Sequence, residues 1–294
     1  MIRFNKNLYS YDKYMDFLLS LKKKKSLPNS IIFEGEEGIG KKNFLIHYII
    51  RTNLLTYNET EIVDYYQKLI ENKLSNIRIV QKKDNSDINI NQIRELITFS
   101  NQTSLNGNLK LILIFNIEDL NLNALNCLLK ILESPPENTF FFLLRNTQKA
   151  VIKTILSRCF KFNIKFSLKE NEYIFKSLLN DYDLKNFENL TIFNRYDTPG
   201  SKIDRILFLK NANIENNSIK SIISYCFSDY LKNKNIYSLK YGSQFLKQYL
   251  FINSKYNFVH ISKLFELLMT RIFEASKYNS NLQISNNFIN NLIK

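Results

Sequence analysis

Two hydrophobic patterns alternate along the first half of the chain. Short, nearly continuous apolar runs are typical of buried parallel strands, and stretches with an apolar residue every three or four positions are typical of helices. Each run is followed by a helical stretch, and the stretch at Asn121–Glu133 ends before Pro135-Pro136, which cannot continue a helix. This alternation predicts an α/β domain with a three-layer parallel sheet over residues 1–166. The runs lie at 30–34, 77–80, 109–115, 139–144 and 160–164.

The second half of the chain lacks the strand pattern. Small helices are predicted at Leu168–Asp181, Asp183–Tyr196 and Lys202–Leu209, with a turn at Thr198-Pro199-Gly200 before the last of them. These elements predict a small helical lid domain over residues 167–212. Helical spacing then continues to the last residue, so we expect an all-helical domain over 213–294.

The positive charge of the chain has two interpretations. A net charge of +14 would favour a polyanionic partner, because clustered Lys and Arg bind phosphates with release of counterions. However, the chain is rich in Asn, Ile and Lys and has only 6 Gly and 4 Pro, a bias that an AT-rich coding sequence would also produce. Charge alone therefore leaves nucleic-acid binding open.

Hydropathy and cysteine spacing exclude some classes of protein. No stretch approaches the ~20 consecutive apolar residues of a membrane-spanning helix, and the first residues lack the apolar core of a signal peptide. Cys127, Cys159 and Cys226 are dispersed and odd in number, which fits neither a disulfide framework nor a set of metal ligands. We therefore expect a soluble cytoplasmic protein with no bound metal and no membrane partner.

A glycine-rich loop between the first strand and the second helix is the clearest candidate binding site. Residues 35–42 fit the pattern G-x-x-x-x-G-K, with Lys42 where Ser or Thr would ligate Mg²⁺. In such a P-loop the glycines, here Gly35, Gly38 and Gly40, let backbone N–H groups turn toward a phosphate, and the lysine, here Lys41, reaches the terminal phosphates. We predict a degenerate P-loop that requires no cofactor and binds ATP or ADP weakly or not at all; a chance glycine-rich turn is the other interpretation.

The central strand at 109–115 lacks the acidic ending of a working P-loop ATPase. In those enzymes an Asp positions Mg²⁺ and a Glu polarises the attacking water. Here the strand runs into Phe115-Asn116, which can do neither. The pair Glu118-Asp119 comes a few residues later, and we expect it in the turn before the next helix, as a helix cap or a solvated charge.

Four motifs in order across residues 27–166 carry a resemblance to a known family. Residues 125–136 resemble the NALLKTLEEPP helix of bacterial clamp-loader AAA+ subunits, and 155–159 resemble their Ser-Arg-Cys motif. Residues 90–96 and Leu27-Pro28-Asn29 resemble segments of the same family. The resemblance implies an AAA+ module, a small helical lid and a C-terminal helical collar through which the subunits assemble.

The resemblance also implies roles for two residues outside the P-loop. Arg158 would be an arginine finger, supplied in trans to a neighbouring subunit's ATP, where a guanidinium offsets charge on the transferring phosphoryl group. An arginine paired with a local carboxylate is the alternative interpretation. Asn146 would be a polar sensor of the γ-phosphate, although a structural cap would use the same residue.

Degraded nucleotide motifs beside an intact Ser-Arg-Cys are the pattern of a non-hydrolysing stator in this family. The implied partners are the gamma/tau and delta subunits and, through the complex, a sliding clamp and primer-template DNA. The family's four-cysteine zinc module is missing here. An active motor ATPase of the gamma/tau type is the alternative, and an adaptor outside replication is a third; an ATPase assay and co-purification with a clamp would separate them.

Overall fold

The computed structural model describes residues 5–54, 58–82, 86–102, 109–151, 153–187, 193–194, 196–214, 218–253 and 258–277. The chain forms two compact units. The first comprises Met1–Asp181 with Thr198–Ser201, and the second comprises Tyr182–Asp197 with Lys202–Lys294. The predicted lid range, 167–212, is divided between the two units, and the predicted collar range, 213–294, lies in the second. The boundaries of the lid and the collar stay predictions.

The first unit is built on a five-stranded, fully parallel sheet. Its strand order is β2-β3-β4-β1-β5, so β4 lies between β1 and β3, and every connection crosses over the sheet. This confirms the predicted α/β class. The strands are β1 (Ser30–Gly35), β2 (Ile77–Val80), β3 (Lys110–Ile114), β4 (Thr139–Asn146) and β5 (Phe160–Asn163).

Two helices of this unit begin at side-chain caps. Asn89 and Gln92 form a reciprocal capping box at the start of one helix, and the Asn121 side chain accepts a hydrogen bond from the Ala124 N–H at the start of another. The helices are α1 (Asp12–Lys23), α2 (Lys41–Asn53), α3 (Glu59–Ile70), α4 (Ile90–Asn101), α5 (Leu122–Glu133), α6 (Lys153–Leu156) and α7 (Leu168–Asp181).

Each face of the sheet has its own apolar core. Adjacent residues of one strand belong to opposite cores: Phe142 of β4 packs with α1, α2 and α3, whereas Phe141 packs with α4 and α5. Both faces are covered, which explains why the central strands β1, β3 and β4 are largely apolar, whereas the edge strand β5 alternates. Among the described residues, the members of both cores lie within residues 8–166, the range in which the sheet was expected.

Among its described residues, the second unit consists of helices and the turns that connect them, without a strand. It contains most of α8 (Pro199–Asn211), followed by α9 (Ile219–Asn233), α10 (Ile236–Asn253) and α11 (Phe258–Lys277). Leu209 of α8 is fully buried in one core with Phe227 of α9, Phe245 of α10 and Ile272 of α11. The parts of the predicted collar at 215–217, 254–257 and 278–294 lie outside the described residues.

Some local predictions were wrong. Helix α3 lies in Asn53–Ser75, a segment whose sequence has no clear pattern over its whole length, and of the short helix that the sequence predicts at Ala150–Leu156 the structure forms α6 at Lys153–Leu156. Helix α8 begins at Pro199, where a turn was expected, because proline's fixed φ and missing N–H suit the first helical position. Of the helix predicted at 183–196, the described part shows a short 3-10 turn at Lys185–Phe187.

Among the described residues, no helix has the length and apolar character needed to cross a membrane.

Candidate functional site

The parallel sheet brings the P-loop and Asn146 together. Gly35, the last residue of β1, is paired across the sheet with Asn146, the last residue of β4, and the Thr147 N–H donates to the Gly35 carbonyl at 3.2 Å. The loops that follow these strands therefore leave the sheet side by side at its carboxyl edge. This is the edge at which open parallel sheets bind ligands.

The backbone of the loop requires its glycines. Gly38 and Gly40 have φ of +77° and +101°, in the left-handed region that other residues avoid. Gly40 is also the N-cap of α2. At Gly35 a β-carbon would lie 2.9 Å from the Ile164 carbonyl oxygen, so a side chain has no room there. The loop thus has the strained turn of a P-loop, directly between strand and helix.

The Lys41 ammonium is bound by the loop itself. Its Nζ donates to the carbonyl oxygens of Gly35 and Glu36, at 2.7 Å each, and the residue is only 8% exposed. Burial lowers the pKa of Lys41 to about 8, an effect that the negative charge of Glu118 partly opposes. To bind a phosphate, Lys41 would have to exchange both carbonyl bonds for bonds to phosphate oxygens.

Lys42 and Phe115 contact each other where a Mg²⁺ site would be built. The Lys42 Nζ lies 4.9 Å from the centroid of the Phe115 ring, a cation–π contact, and Phe115 is completely buried. Burial lowers the pKa of Lys42, and the charge of Asp119 opposes this shift. An ammonium repels Mg²⁺, and a phenyl ring offers it no oxygen ligand. These two residues therefore do not fit a magnesium–nucleotide complex.

The acidic pair after β3 turns back toward this edge. The Glu118 carboxylate accepts a hydrogen bond from the backbone N–H of Asn146 at 3.2 Å, and burial raises the pKa of Glu118. Asp119 lies 3.7 Å from the Lys149 ammonium. The pair lies in the turn before α5, as expected. The expected role as a helix cap or a solvated charge was wrong, because Asn121 caps α5 and Glu118 is half-buried at the site.

Asn146 has the geometry of a structural cap. Its side-chain oxygen accepts a hydrogen bond from the Gln148 N–H at 3.0 Å, within the turn that follows β4, and the residue is buried. This local bond occupies one of the oxygen's two lone pairs. Its place beside Gly35 is the place expected of a γ-phosphate sensor, and that role stays a prediction.

The first turn of α8 is seated on the P-loop, a contact that the sequence analysis missed. Thr198 and Ser201 donate their hydroxyl hydrogens to the Glu37 carbonyl, at 2.5 and 3.3 Å, and the Gly200 N–H donates to the Gly38 carbonyl at 2.9 Å. The sequence signal was a Thr-Pro-Gly-Ser turn, but these residues do not predict a contact with the P-loop.

Tyr11 supports the same loop from another side. Its hydroxyl donates to the Ile39 carbonyl at 2.6 Å, and its ring stacks on Phe44 of α2 with 4.9 Å between centroids. Tyr11 is buried, and burial raises the pKa of its hydroxyl. Tyr11, Lys41 and the start of α8 thus bind carbonyl groups from Gly35 to Ile39.

Arg158 lies away from its own P-loop. It precedes β5, whose first residue Phe160 pairs with Ile31 near the start of β1, whereas the P-loop begins at the end of that strand. At ~3.3 Å per residue, these two levels of the sheet are about 13 Å apart. Arg158 is therefore at the amino edge of the sheet, opposite the nucleotide loop.

At this edge Arg158 is paired with a carboxylate of its own chain. Its Nε and Nη2 both donate to Oε1 of Glu133, the former at 2.8 Å, and its Nη1 donates to the Thr154 carbonyl at 2.9 Å. The Arg158 side chain is 33% exposed and that of Glu133 52%. The local ion pair considered for Arg158 is thus present, on a side chain that solvent still reaches.

In the part of the chain that the structure describes, no cluster of three or more His, Cys, Asp or Glu residues could hold a metal.

The sheet order, the glycine loop and the helical unit that follows define an AAA+-type P-loop protein. The chain belongs to the family described as DNA polymerase III, delta subunit, whose sequence model matches residues 11–167. It is 35% identical over 92 residues, 31% of the chain, to the DNA polymerase III subunit delta′ of Buchnera aphidicola subsp. Baizongia pistaciae. The identity to the subunit tau of Escherichia coli is 25% over 142 residues, 47% of the chain. These alignments span 27% and 22% of the two relatives' own lengths.

A solved structure supports the fold over nearly the whole chain. The crystal structure of a DNA polymerase III gamma subunit-related protein from Thermotoga maritima superposes with a TM-score of 0.50 and 15% sequence identity. The superposition covers 94% of this chain and 98% of that protein. At this level of identity the likeness concerns the fold alone.

Proposed function

We propose that this chain is a non-hydrolysing, delta′-type subunit of a bacterial clamp loader, working in the cytoplasm. It serves as a stator beside gamma/tau motor subunits and a delta subunit, in a complex that places a sliding clamp on primed DNA. Membership of the delta-subunit family supports this role. So does the P-loop, because the Lys42–Phe115 contact has replaced a hydroxyl and a carboxylate that Mg²⁺ would need.

The observation that carries the proposal is the position of Arg158. It is solvent-exposed at the edge of the sheet opposite its own P-loop, so it is not placed to act on a nucleotide of its own chain. In a ring of AAA+ subunits the same position can face the ATP of a neighbour. There the planar guanidinium would donate to oxygens of the transferring phosphoryl group.

Replacement of Arg158 in the assembled loader tests this role. Arg158→Ala should leave the complex assembled while lowering its clamp- and DNA-stimulated ATPase and its clamp loading. Arginine fingers contribute ~10³–10⁵ in rate, but only one of several sites would be affected, so the bulk rate should fall in part. Arg158→Lys should not restore the rate, since an ammonium lacks the two-point contact with phosphate.

Lys161→Ala is a matched control, because it removes an exposed positive charge three residues away on β5. Its ATPase and loading rates should equal those of the unmodified complex. If the Arg158→Ala complex hydrolyses ATP and loads clamps as fast as this control, Arg158 has a structural role only and the proposed mechanism fails.

A further inference from the structure

Arg158 projects from a backbone that is fixed on both sides. Ile155 and Cys159, its apolar neighbours in the Ser-Arg-Cys segment, are both buried in the core beside α4 and α5. The Arg158 N–H donates to the Ile155 carbonyl at 3.1 Å, and the Ser157 N–H donates to the Lys153 carbonyl at 3.1 Å. The position of the Arg158 α-carbon is therefore set by the core, while the direction of its long side chain is not.

The side chain of Glu133 supplies that direction. Oε1 of Glu133 accepts hydrogen bonds from both Nε and Nη2, and the Thr154 carbonyl accepts from Nη1, so the guanidinium is bound along one edge and at one end. Arginine has five N–H groups, and three are used in this way. The Ser157 hydroxyl makes a long contact of 3.5 Å with Nη1. The second N–H of Nη2 has no partner among the residues that the structure describes.

Glu133 is itself well placed to hold a fixed position. It is the last residue of α5, whose apolar face is buried in the same core as Ile155 and Cys159, and Pro135-Pro136 follow it. Exposed ion pairs contribute little to folding stability, and at 52% exposure the Glu133 side chain falls in that class. This ion pair therefore contributes little to the stability of the fold. It can instead fix the orientation of a guanidinium that must contact a phosphate.

We infer that Glu133 is a positioning residue, which holds the Arg158 guanidinium in the orientation needed for a neighbour's ATP. The inference rests on the proposed role of Arg158. Glu133 does not touch the nucleotide; it binds the Nε edge of the guanidinium and leaves N–H groups of the terminal nitrogens for phosphate oxygens. Without Glu133, Arg158 would sample many rotamers, and reaching the productive one would cost conformational entropy in each catalytic cycle.

The test uses the reconstituted loader complex with the full chain. Glu133→Ala should lower kcat of the clamp- and DNA-stimulated ATPase most of the way to the Arg158→Ala value, with little change in KM for ATP, because the guanidinium acts mainly in the transition state. A misplacement of ~1 Å costs on the order of 10²-fold at the affected site, and the other sites dilute this in the bulk rate. Glu133→Gln should keep most of the rate, because its amide oxygen still accepts the two N–H bonds.

Two further variants make the result specific. Glu137→Ala, the same change at an exposed position four residues later, should leave kcat unchanged. The double variant Glu133→Ala with Arg158→Ala should be no slower than Arg158→Ala alone, because Glu133 acts only through the Arg158 guanidinium. Thermal denaturation should show the Glu133 variants as folded as the unmodified chain.

Three outcomes would overturn the inference. If Arg158→Ala is slow but Glu133→Ala is as fast as the Glu137→Ala control, Arg158 acts without Glu133. If Glu133→Ala is faster than the unmodified complex, Glu133 competes with phosphate for the guanidinium rather than orienting it. If Arg158→Ala itself has no effect, the proposed function fails, and this inference with it.

Discussion

Lys42 and Phe115 show how two substitutions can remove a metal site while keeping the fold. The half-buried Lys42 ammonium contacts the face of the Phe115 ring, an interaction worth ~0.5–2 kcal/mol. Phe115 in turn fills space in the core beside α1, α2 and α3. Changing one of the two residues alone would not build a magnesium site, because the other would still offer no ligand.

This pairing predicts that the isolated chain does not turn over ATP. In the presence of Mg²⁺, phosphate release should equal the background of a protein-free sample, because neither metal positioning nor water activation has its side chain. Lys41→Ala should leave that background unchanged. A steady-state rate of ~1–100 s⁻¹ that Lys41→Ala abolishes would instead identify an active motor of the gamma/tau type.

At the scale of secondary-structure elements, the first turn of α8 and the P-loop form one hydrogen-bonded unit. The carbonyls of Glu37 and Gly38 accept from Thr198, Ser201 and Gly200, so the loop conformation and the start of the helix depend on each other. The contact is possible because neither Gly38 nor Gly200 has a side chain. A β-carbon on Gly38 would lie 2.4 Å from the hydroxyl oxygens of Thr198 and Ser201.

Gly38→Ala should therefore destabilise the protein. Alanine at φ +77° costs ~1–3 kcal/mol in backbone strain, and the clash with the two hydroxyl groups should add to this by displacing the first turn of α8. Urea denaturation of the purified chain measures the loss. Glu36→Ala, an exposed change in the same loop, should shift the midpoint little. Equal midpoints for the two variants would mean that the loop and α8 are not bonded as described.

At the scale of the whole molecule, the sheet is packed between two apolar cores formed by residues of the first unit. The described residues of the two apolar clusters on its faces lie between residues 8 and 166, so we expect the sheet to pack without the C-terminal helices. The C-terminal unit has a separate core, which includes Leu209 of α8 as well as residues of α9, α10 and α11. Apolar side chains in this unit, such as Tyr237 and Ile252, are exposed to solvent.

A chain ending at residue 212 should keep a folded sheet domain but lose assembly with the other loader subunits. Far-ultraviolet circular dichroism should show retained helix and strand, and the fragment should bind a dye for apolar surface, because Leu209 loses its cover. Size-exclusion chromatography with the partner subunits measures assembly, with the full chain as the control. Co-elution of the fragment at the affinity of the full chain would contradict the collar role of residues 213–294.

Local patterns in the sequence predicted the strands and their alternation with helices. Apolar runs predicted all five strands: the central strands β1, β3 and β4 are largely apolar because both of their faces are buried, whereas the edge strand β5 alternates. The glycine spacing predicted a loop whose left-handed residues the structure shows, and Lys42, Phe115 and Asn116 indicated the loss of magnesium chemistry without any coordinates. Helix α3 escaped prediction although Ile62, Tyr65, Tyr66 and Leu69 follow helical spacing and pack on the core of the first unit.

Only the tertiary structure decided which of these residues meet. Glu118 binds the Asn146 N–H, the start of α8 binds Glu37 and Gly38, and Glu133 binds Arg158. The residues of these pairs are 25 to 164 positions apart in the chain. Hydrophobic periodicity is a local property, set by the geometry of one helix or strand, so it marks which face of an element is buried. Partners across the fold depend instead on the order of the strands in the sheet, which no local period encodes.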